Sequence, residues 1–187
     1  MVHAPTKPLT LEDFLALSEG ENAYELVNGV AIPKVSPKRS HSKTQKALLR
    51  ILDDWCGDRG DVGIEWAVTL TRDNADWVPV PDLLYISYDR LSRDWNEDAP
   101  CPVPPELAIE IISPGQSFGE MTEKATDYLA AGVLQVWVLD PKAQSVTVFV
   151  PDSLPKTYRD NAAIADPLLP DLHLTAQQIF QASGLSS

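Results

Sequence analysis

With 187 residues, the chain has the length of one ordinary domain, and we expect a single domain over residues 1–187, with a core at about 22–150 and a C-terminal extension at 151–187. Its formal net charge of -12 at pH 7 disfavours any partner that is held by overall attraction to a polyanion. No apolar run approaches the ~20 residues of a membrane helix, so we expect no membrane partner. No leader pattern is visible, and Cys56 and Cys101 lie outside a CxxC spacing, so we expect a cytoplasmic protein.

The first predicted elements are a short helix and a β-hairpin. Thr10, followed by acidic residues at positions 12 and 13, is typical of a helix N-cap, and we expect this helix to end near Glu19-Gly20. Two alternating apolar runs then flank Asn28-Gly29, the residue pair that two-residue hairpin turns prefer. The pattern predicts strands at Tyr24–Val27 and Val30–Ile32.

A second helix is predicted from about Ser40 to Trp55 by apolar residues at helical spacing. It lies in a segment without acids, from residue 26 to 52, which holds six of the 15 basic residues: Lys34, Lys38, Arg39, Lys43, Lys46 and Arg50. At ~100° per residue, the basic side chains at 43, 46 and 50 fall opposite the apolar stripe, whereas His41 falls on the side of the stripe. Such a segment alone is most often a solvated face.

Three strands are predicted next, at Val62–Thr71, Val78–Ile86 and Glu106–Ile112. The last two are dense in valine, isoleucine and leucine, as the interior of a sheet requires. Residues Arg72–Asp76 form a predicted turn, and the polar, proline-rich passage Asp89–Pro105 is long enough to be an excursion over the surface.

The remaining elements predict a mixed sheet with helices packed on it. Ser117-x-x-Glu120 forms a capping box for a helix from Phe118 to Ala131, and Gly132 supplies its left-handed stop. A strand, that helix and another strand form a crossover unit, which predicts parallel pairing of the strands that contain Glu110 and Val136 and antiparallel pairing of the preceding strands. The elements after the helix are predicted at Val133–Leu139, Ser145–Val150 and Thr175–Ala182.

Two acidic residues interrupt the apolar strands. Asp82 shares a predicted sheet face with the apolar residues Val80 and Leu84. Glu110 likewise lies among apolar residues on one face of its own predicted strand. A buried carboxylate must be neutralised, paired or bound to a cation. Two such acids on neighbouring strands therefore predict a shared cation.

Lys124 is the third residue of this predicted site. It lies at the edge of the packed face of its helix, beside Met121 and Tyr128, and can reach the sheet. Taken alone, Lys124 is better explained by an ion pair with Glu120 or by a side chain that extends into solvent than by a functional role. Two acids and a lysine together indicate a functional site, and oxygen ligands without paired histidines or cysteines favour Mg²⁺ or Mn²⁺ over zinc.

Several motifs carry a resemblance to a known family: Pro81-Asp82, Glu110 within residues 107–114, Lys124 with Tyr128, Gly132-Val133, and residues 136–141. The chain resembles the "putative restriction endonuclease" family of the PD-(D/E)XK nuclease superfamily, formerly a domain of unknown function. The resemblance extends from Tyr24 to Leu174. It implies an α/β fold with an αβββαβ core, an added N-terminal helix and β-hairpin, and metal-dependent hydrolysis of phosphodiester bonds in nucleic acid.

The resemblance also implies roles for individual residues. Asp82 and Glu110 match the metal ligands, with Glu25 as a further catalytic position. The usual lysine of the superfamily would stand at Ile112, and members of this family place it on the next helix, which maps to Lys124. His41 and Tyr128 are further positions that could support these groups, although a lone histidine that faces a core is more often a hydrogen-bonded structural residue. The expected contacts to the nucleic acid backbone are Lys38, Arg39, Lys43 and Arg50.

The expected partners are nucleic acid, with DNA favoured over RNA, and a second copy of the chain, because many nucleases cut two strands with paired active sites. One alternative is a relative that keeps the fold and binds nucleic acid or protein without cutting, which the net charge and Ile112 favour. Another is a glycosidase with paired carboxylates, although no aromatic-rich cleft pattern is present and a nearby lysine would keep both acids ionised.

Overall fold

The computed structural model describes residues 8–17, 23–164 and 167–185. Its elements in chain order are α1 Leu11–Leu15, β1 Tyr24–Val27, β2 Val30–Pro33, α2 Arg39–Cys56, β3 Gly60–Ile64, β4 Leu70–Arg72, β5 Ala75–Trp77, β6 Leu83–Ser87, β7 Leu107–Ile111, α3 Phe118–Ala130, β8 Gln135–Asp140, β9 Ser145–Phe149, β10 Lys156–Arg159, β11 Ala163–Ile164, β12 Leu174–Thr175 and α4 Ala176–Ala182.

The N-terminal elements form as predicted, with one change of length. The Thr10 side chain caps α1 by accepting a hydrogen bond from the N–H of Asp13. The helix ends at Leu15, earlier than the expected Glu19-Gly20, which lies outside the described residues. Strands β1 and β2 pair in antiparallel fashion about Asn28 and Gly29, whose positive φ angles of 51° and 73° suit the short hairpin turn.

The central sheet has six strands in the order β10-β9-β8-β7-β6-β3. β7 and β8 are parallel, as the crossover through α3 requires, and the other neighbours are antiparallel. Ser117 and Glu120 form the predicted capping box at the start of α3. Gly132, with φ of 97°, stands just after the helix and turns the chain back toward the sheet. The predicted mixed α/β sheet is confirmed.

Two of the predicted strands are wrong in extent. The strand predicted at Val62–Thr71 divides into β3 and β4, which belong to different sheets, and Glu65, with a positive φ of 47°, follows the end of β3. The strand predicted at Val78–Ile86 begins only at Leu83. Pro79 and Pro81 have no N–H to donate to a ladder, so this stretch cannot extend the strand. Asp82 therefore precedes β6 and does not lie in the middle of a strand.

Each face of the sheet packs against helices to form an apolar core. On one face, Leu48 and Leu52 of α2 and Phe180 of α4 are fully buried in a cluster with Trp137 of β8. On the other face, α3 packs Ala125 and other apolar side chains against β7, β8 and β9. The last helix, α4, thus packs in the same core as the strands of the central sheet. Within the described residues, no helix is both long and apolar enough to cross a membrane.

Candidate functional site

Asp82 and Glu110 stand opposite each other where β6 begins and β7 ends. The antiparallel register pairs Leu83 with Ile109, so the next positions outward are Asp82 and Glu110. The Asp82 N–H donates to the Ile109 carbonyl at 3.0 Å, which continues the contact between the two chain segments. Asp82 is 3% exposed and Glu110 is 4% exposed. Two nearly buried acids therefore lie at the same end of the β6–β7 pair.

Both oxygens of the Asp82 carboxylate have partners. Oδ1 accepts from the ammonium of Lys34 at 2.7 Å. Oδ2 lies 2.9 Å from Nε2 of His41 and accepts from the N–H of Ile111 at 2.7 Å. Burial would raise the pKa of Asp82, but the hydrogen bond with His41 and the charge of Lys34 outweigh it and lower the pKa to about 2. This carboxylate is held ionised and in one orientation.

Glu110 has a different set of partners, from α3. Its Oε1 accepts from the hydroxyl of Tyr128 at 2.8 Å and lies 2.9 Å from the ammonium of Lys124. Burial raises the pKa of Glu110, and the charge of Lys124 opposes that rise. The Tyr128 ring packs 4.9 Å from the ring of Trp77 in β5, so the hydroxyl that holds Glu110 is itself positioned by packing.

Lys124 bridges two acids. Its ammonium lies 2.7 Å from Oε1 of Glu25 as well as 2.9 Å from Glu110. Burial would lower the pKa of Lys124, but the two carboxylates outweigh it and raise the pKa above its ordinary value. The side chain of residue 124 therefore reaches the site from the helix, as the sequence predicted, and is held there as a cation.

The β-hairpin brings Glu25 to the site. Leu26 of β1 and Val78 exchange backbone hydrogen bonds of 3.1 Å in each direction, which ties the hairpin to the segment before β6. Two residues further on, the N–H of Val80 donates to Oε1 of Glu25 at 3.0 Å. The carboxylate of Glu25 is thus fixed between this N–H and Lys124.

Two polar residues at the site were not selected from the sequence. Lys34 follows the hairpin in a segment without periodicity, so no pattern indicated its contact with Asp82. Gln45 lies one helical turn after His41 in α2, and its amide donates to the Asp82 carbonyl at 3.0 Å and to Glu65 Oε1 at 3.3 Å. Its spacing of four residues from His41 is the signal that would have identified it.

The predicted nucleic-acid-binding residues occupy α2 and its start. Lys38, Arg39 and Arg50 are exposed, whereas Lys43 is half-buried with its ammonium beside Gly184. At ~100° per residue, the side chains at 39, 43 and 50 lie on the face opposite His41. The structure therefore brings none of these three to the carboxylates; Lys38, the N-cap of α2, lies nearer the side of His41.

A cavity of about 190 Å³ opens beside Asp82, between α2 and the segment that follows β2. Its lining includes Lys34, His41, Glu65 and Asp82. A larger cavity of about 480 Å³ lies between the β4–β5 hairpin and the end of α3, and none of the site residues borders it. Of the two cavities, the smaller one is the one that adjoins the buried carboxylate of Asp82.

The donor atoms at this site suit a hard cation. Within the described ranges no group of three histidine, cysteine or acidic residues could enclose a metal. Mg²⁺ does not require such a group, because it is commonly held by one or two carboxylates together with water and substrate phosphate. Both contacts of Glu110 use Oε1, so Oε2 is the oxygen with which it could meet a cation. The pair of acids fits Mg²⁺ or Mn²⁺ better than zinc.

Comparisons with known proteins agree with this architecture. No curated protein matches the chain. A solved structure from Anabaena variabilis, described as a putative nuclease belonging to DUF820, superposes with a TM-score of 0.83 at 27% sequence identity, covering 94% of this chain and 99% of that one. The family model Uma2, described as "Putative restriction endonuclease", matches residues 11–177. The fold is therefore that of a nuclease-like protein, and the chain belongs to the Uma2 family.

Proposed function

We propose that the protein is a metal-dependent endonuclease that hydrolyses phosphodiester bonds of nucleic acid, with Asp82 and Glu110 as the ligands of Mg²⁺ or Mn²⁺. The observation that carries the proposal is the pair of buried acids at opposed positions where β6 begins and β7 ends. Nuclease function is also the one indicated by the family and by the solved neighbour.

The metal, when bound, would supply a water of lowered pKa and neutralise charge that develops on the scissile phosphate. The chain prepares its ligands for that task. The N–H of Ile111 and the ring of His41 orient Asp82, and the hydroxyl of Tyr128 orients Glu110. Ligands held by such hydrogen bonds do not have to be reorganised when a cation binds.

Lys124 acts in this proposal as a fixed positive charge. Its raised pKa keeps it protonated, so it cannot accept a proton from water near neutral pH. It can donate a hydrogen bond to the attacking water or to a phosphate oxygen and stabilise negative charge there. Glu25 is then a positioning residue, because it holds the ammonium of Lys124 at 2.7 Å.

The proposal extends to partners and location. We infer a DNA substrate whose backbone, on either side of the cut, contacts the basic residues of the α2 region: Lys38, Arg39, Lys43 and Arg50. Such contacts provide affinity without reading the base sequence. A homodimer would supply two active sites for two strands. The free, buried thiols of Cys56 and Cys101 support a reducing compartment such as the cytoplasm.

Plasmid nicking in Mg²⁺ at low salt tests the proposal. We expect the wild type to convert supercoiled to open-circular DNA, and Asp82→Asn and Glu110→Gln to be slower by at least about a hundredfold, since each loses a ligand charge. Asp76→Asn, at an exposed position of β5, is the matched control and should cut at the wild-type rate. Equal rates for wild type and Asp82→Asn would reject the assignment.

A second candidate is a nuclease-fold domain that binds nucleic acid without cutting it. Two observations favour it: Ile112 stands at the usual lysine position of the superfamily, and each buried acid already has an ammonium partner. Calorimetry with Mn²⁺ separates the two functions. A nuclease binds the ion through Asp82 and Glu110, whereas binding that is absent, or unchanged in Asp82→Asn, favours the second candidate.

A further inference from the structure

Lys34 is a site residue to which the mechanism above gives no role. Its backbone N–H donates to the Ala23 carbonyl at 2.8 Å, which fixes the main chain just beyond β2. Its side chain is 16% exposed and extends to the nearly buried carboxylate of Asp82. It borders the cavity of about 190 Å³, together with residues that include Val35, Ser36 and Pro37.

The contacts of the Asp82 carboxylate show which of its oxygens Lys34 would keep from a metal ion. Oδ2 is shared by His41 and the N–H of Ile111, so Oδ1 is the oxygen that remains for a cation. Lys34 holds Oδ1 at 2.7 Å. Two cations near one oxygen repel each other strongly in a poorly solvated site. A metal can bind Asp82 through this oxygen only if the ammonium of Lys34 moves away.

The adjoining cavity offers the displaced ammonium a place and a ligand. At ~30 Å³ per water, its volume equals that of roughly six waters, which is more room than one phosphate group needs. The side chain of lysine is a flexible stem with a point charge, and phosphate is a common partner for it. Glu65, in the same lining, would repel an anion, and the neutral amide of Gln45, which donates to its carboxylate at 3.3 Å, does not remove that charge. The phosphate would therefore have to bind on the Lys34 side of the cavity.

Lys34 and Lys124 differ in a way that suits them to different tasks. Lys124 is held by two carboxylates, Glu25 and Glu110, and a metal at one of them leaves the other in place. In the described part of the chain, the ion pair of Lys34 is with Asp82 alone. Lys34 is therefore the lysine that metal binding would release.

We propose that Lys34 is a mobile phosphate ligand, which neutralises Asp82 in the metal-free protein and transfers to an oxygen of the nucleic acid phosphate in the adjoining cavity when the metal takes Oδ1. The inference rests on the proposed function and deepens it. It makes Lys34 a contact of substrate, distinct from the basic face of α2, and it couples metal binding to phosphate binding.

The test compares Lys34→Met with the wild type in two binding measurements. Calorimetry with Mn²⁺ should give a dissociation constant roughly fivefold lower for Lys34→Met, because the competing ammonium is gone. Affinity for a short DNA duplex, measured with Ca²⁺ in place of Mg²⁺ to suppress cutting, should fall roughly tenfold. Lys156→Met is the matched control, because Lys156 is exposed on β10, four strands away from β6, and should change neither constant.

The outcomes distinguish this inference from the proposed function. If the wild type binds Mn²⁺ and Asp82→Asn does not, yet Lys34→Met leaves either constant at the wild-type value, the role of Lys34 is overturned alone. If the wild type binds no Mn²⁺, or Asp82→Asn binds it equally well, the proposed function and the role of Lys34 are overturned together.

A second measurement avoids any loss of folding in Lys34→Met. In ¹⁵N-lysine-labelled protein, the ammonium signal of Lys34 is identified by its absence in Lys34→Arg, which keeps the charge. In the wild type this signal should shift on saturation with Mg²⁺ and shift again when the DNA duplex is added. A signal that stays in place while Mg²⁺ saturates the protein would overturn the inference.

Discussion

Asp82 and Glu110 show how neighbouring groups give two acids at one site different proton affinities. Asp82 receives an N–H, an imidazole and an ammonium, and its pKa falls to about 2. Glu110 is buried to a similar degree, and burial raises its pKa against the charge of Lys124. Asp82 is thus the acid whose ionised form the fold stabilises most, and it is the better anchor for a cation.

The low pKa of Asp82 predicts a loss of stability in acid. Because the folded value of about 2 lies below the ordinary 3.8, ionised Asp82 stabilises the fold above about pH 4, and this contribution is lost as the pH falls toward 2. In the metal-free protein, the difference in unfolding free energy between wild type and Asp82→Asn should shrink by roughly 2 kcal/mol between pH 5 and pH 2. Urea titrations at several pH values measure it.

The control for this pH dependence is Asp76→Asn, at an exposed acid of β5. Its difference from the wild type should stay within about 0.5 kcal/mol over the same pH range. A difference for Asp82→Asn that stays constant with pH would contradict the stabilising role given to Lys34 and His41.

At the residue scale, the sequence predicted the acids and their cation on the helix but not the complete environment. The structure brings together Asp82 and Glu110 and, beside Glu110, Lys124 and Glu25. The acids could be recognised because a charge in an apolar run is costly without a partner. Lys34 could not, because its contact with Asp82 spans 48 positions and comes from a segment with no repeating pattern.

At the element scale, local signals decided which predictions succeeded. The hairpin turn at Asn28-Gly29 and the capping box at Ser117 are properties of a few adjacent residues, and both form. The strand predicted at Val78–Ile86 begins only at Leu83, because the apolar run behind the prediction contains two prolines, which have no N–H to donate to a ladder. The late start of β6 has a functional consequence: Asp82 lies before the strand, where its N–H donates to the Ile109 carbonyl and its carboxylate accepts from the N–H of Ile111.

Because β3 lies close to β6 at Gly60, we expect one methyl group added there to cause a large loss of stability. At Gly60, a Cβ would lie 2.1 Å from the Ile86 carbonyl oxygen and 2.8 Å from the Cα of Ser87, both backbone atoms that cannot move aside. We expect Gly60→Ala to lower the unfolding free energy by more than about 2 kcal/mol, as overpacking of a fitted site does. Urea titration of the purified variant measures this loss.

Gly119→Ala is the matched control, since a Cβ at this exposed position of α3 would have only the Ser117 hydroxyl oxygen near it, at 3.8 Å. Alanine favours a helix over glycine, so this variant should match or exceed the wild-type stability by up to about 1 kcal/mol. Equal stabilities for the two alanine variants would contradict the close approach of β3 to β6.

At the scale of the whole molecule, the site is assembled from six separate parts of the chain. They contribute, in chain order, Glu25 of the hairpin, Lys34 after it, His41 at the start of α2, Asp82 before β6, Glu110 of β7, and Lys124 with Tyr128 of α3. Sequence patterns predicted the order and type of these elements. They do not specify contacts between distant elements, because those depend on how both faces of the sheet are packed.

The distribution of charge is also a property of the whole molecule. A net charge of -12 opposes long-range attraction to nucleic acid, so binding must depend on local groups. In the described residues, the buried acids are balanced by the ammonium groups of Lys34 and Lys124. A divalent cation would make this balanced region positive while the whole molecule stays negative, which would restrict phosphate binding to the metal-loaded site.

A crystal of the protein soaked in Mn²⁺ shows whether the two acids bind a cation, because anomalous scattering locates the ion without reference to activity. We expect one strong peak within about 2.2 Å of oxygens from both Asp82 and Glu110, with the Lys34 ammonium moved away from Oδ1. A saturated soak with no peak between the two carboxylates, or a peak bound only to surface acids, would contradict this expectation.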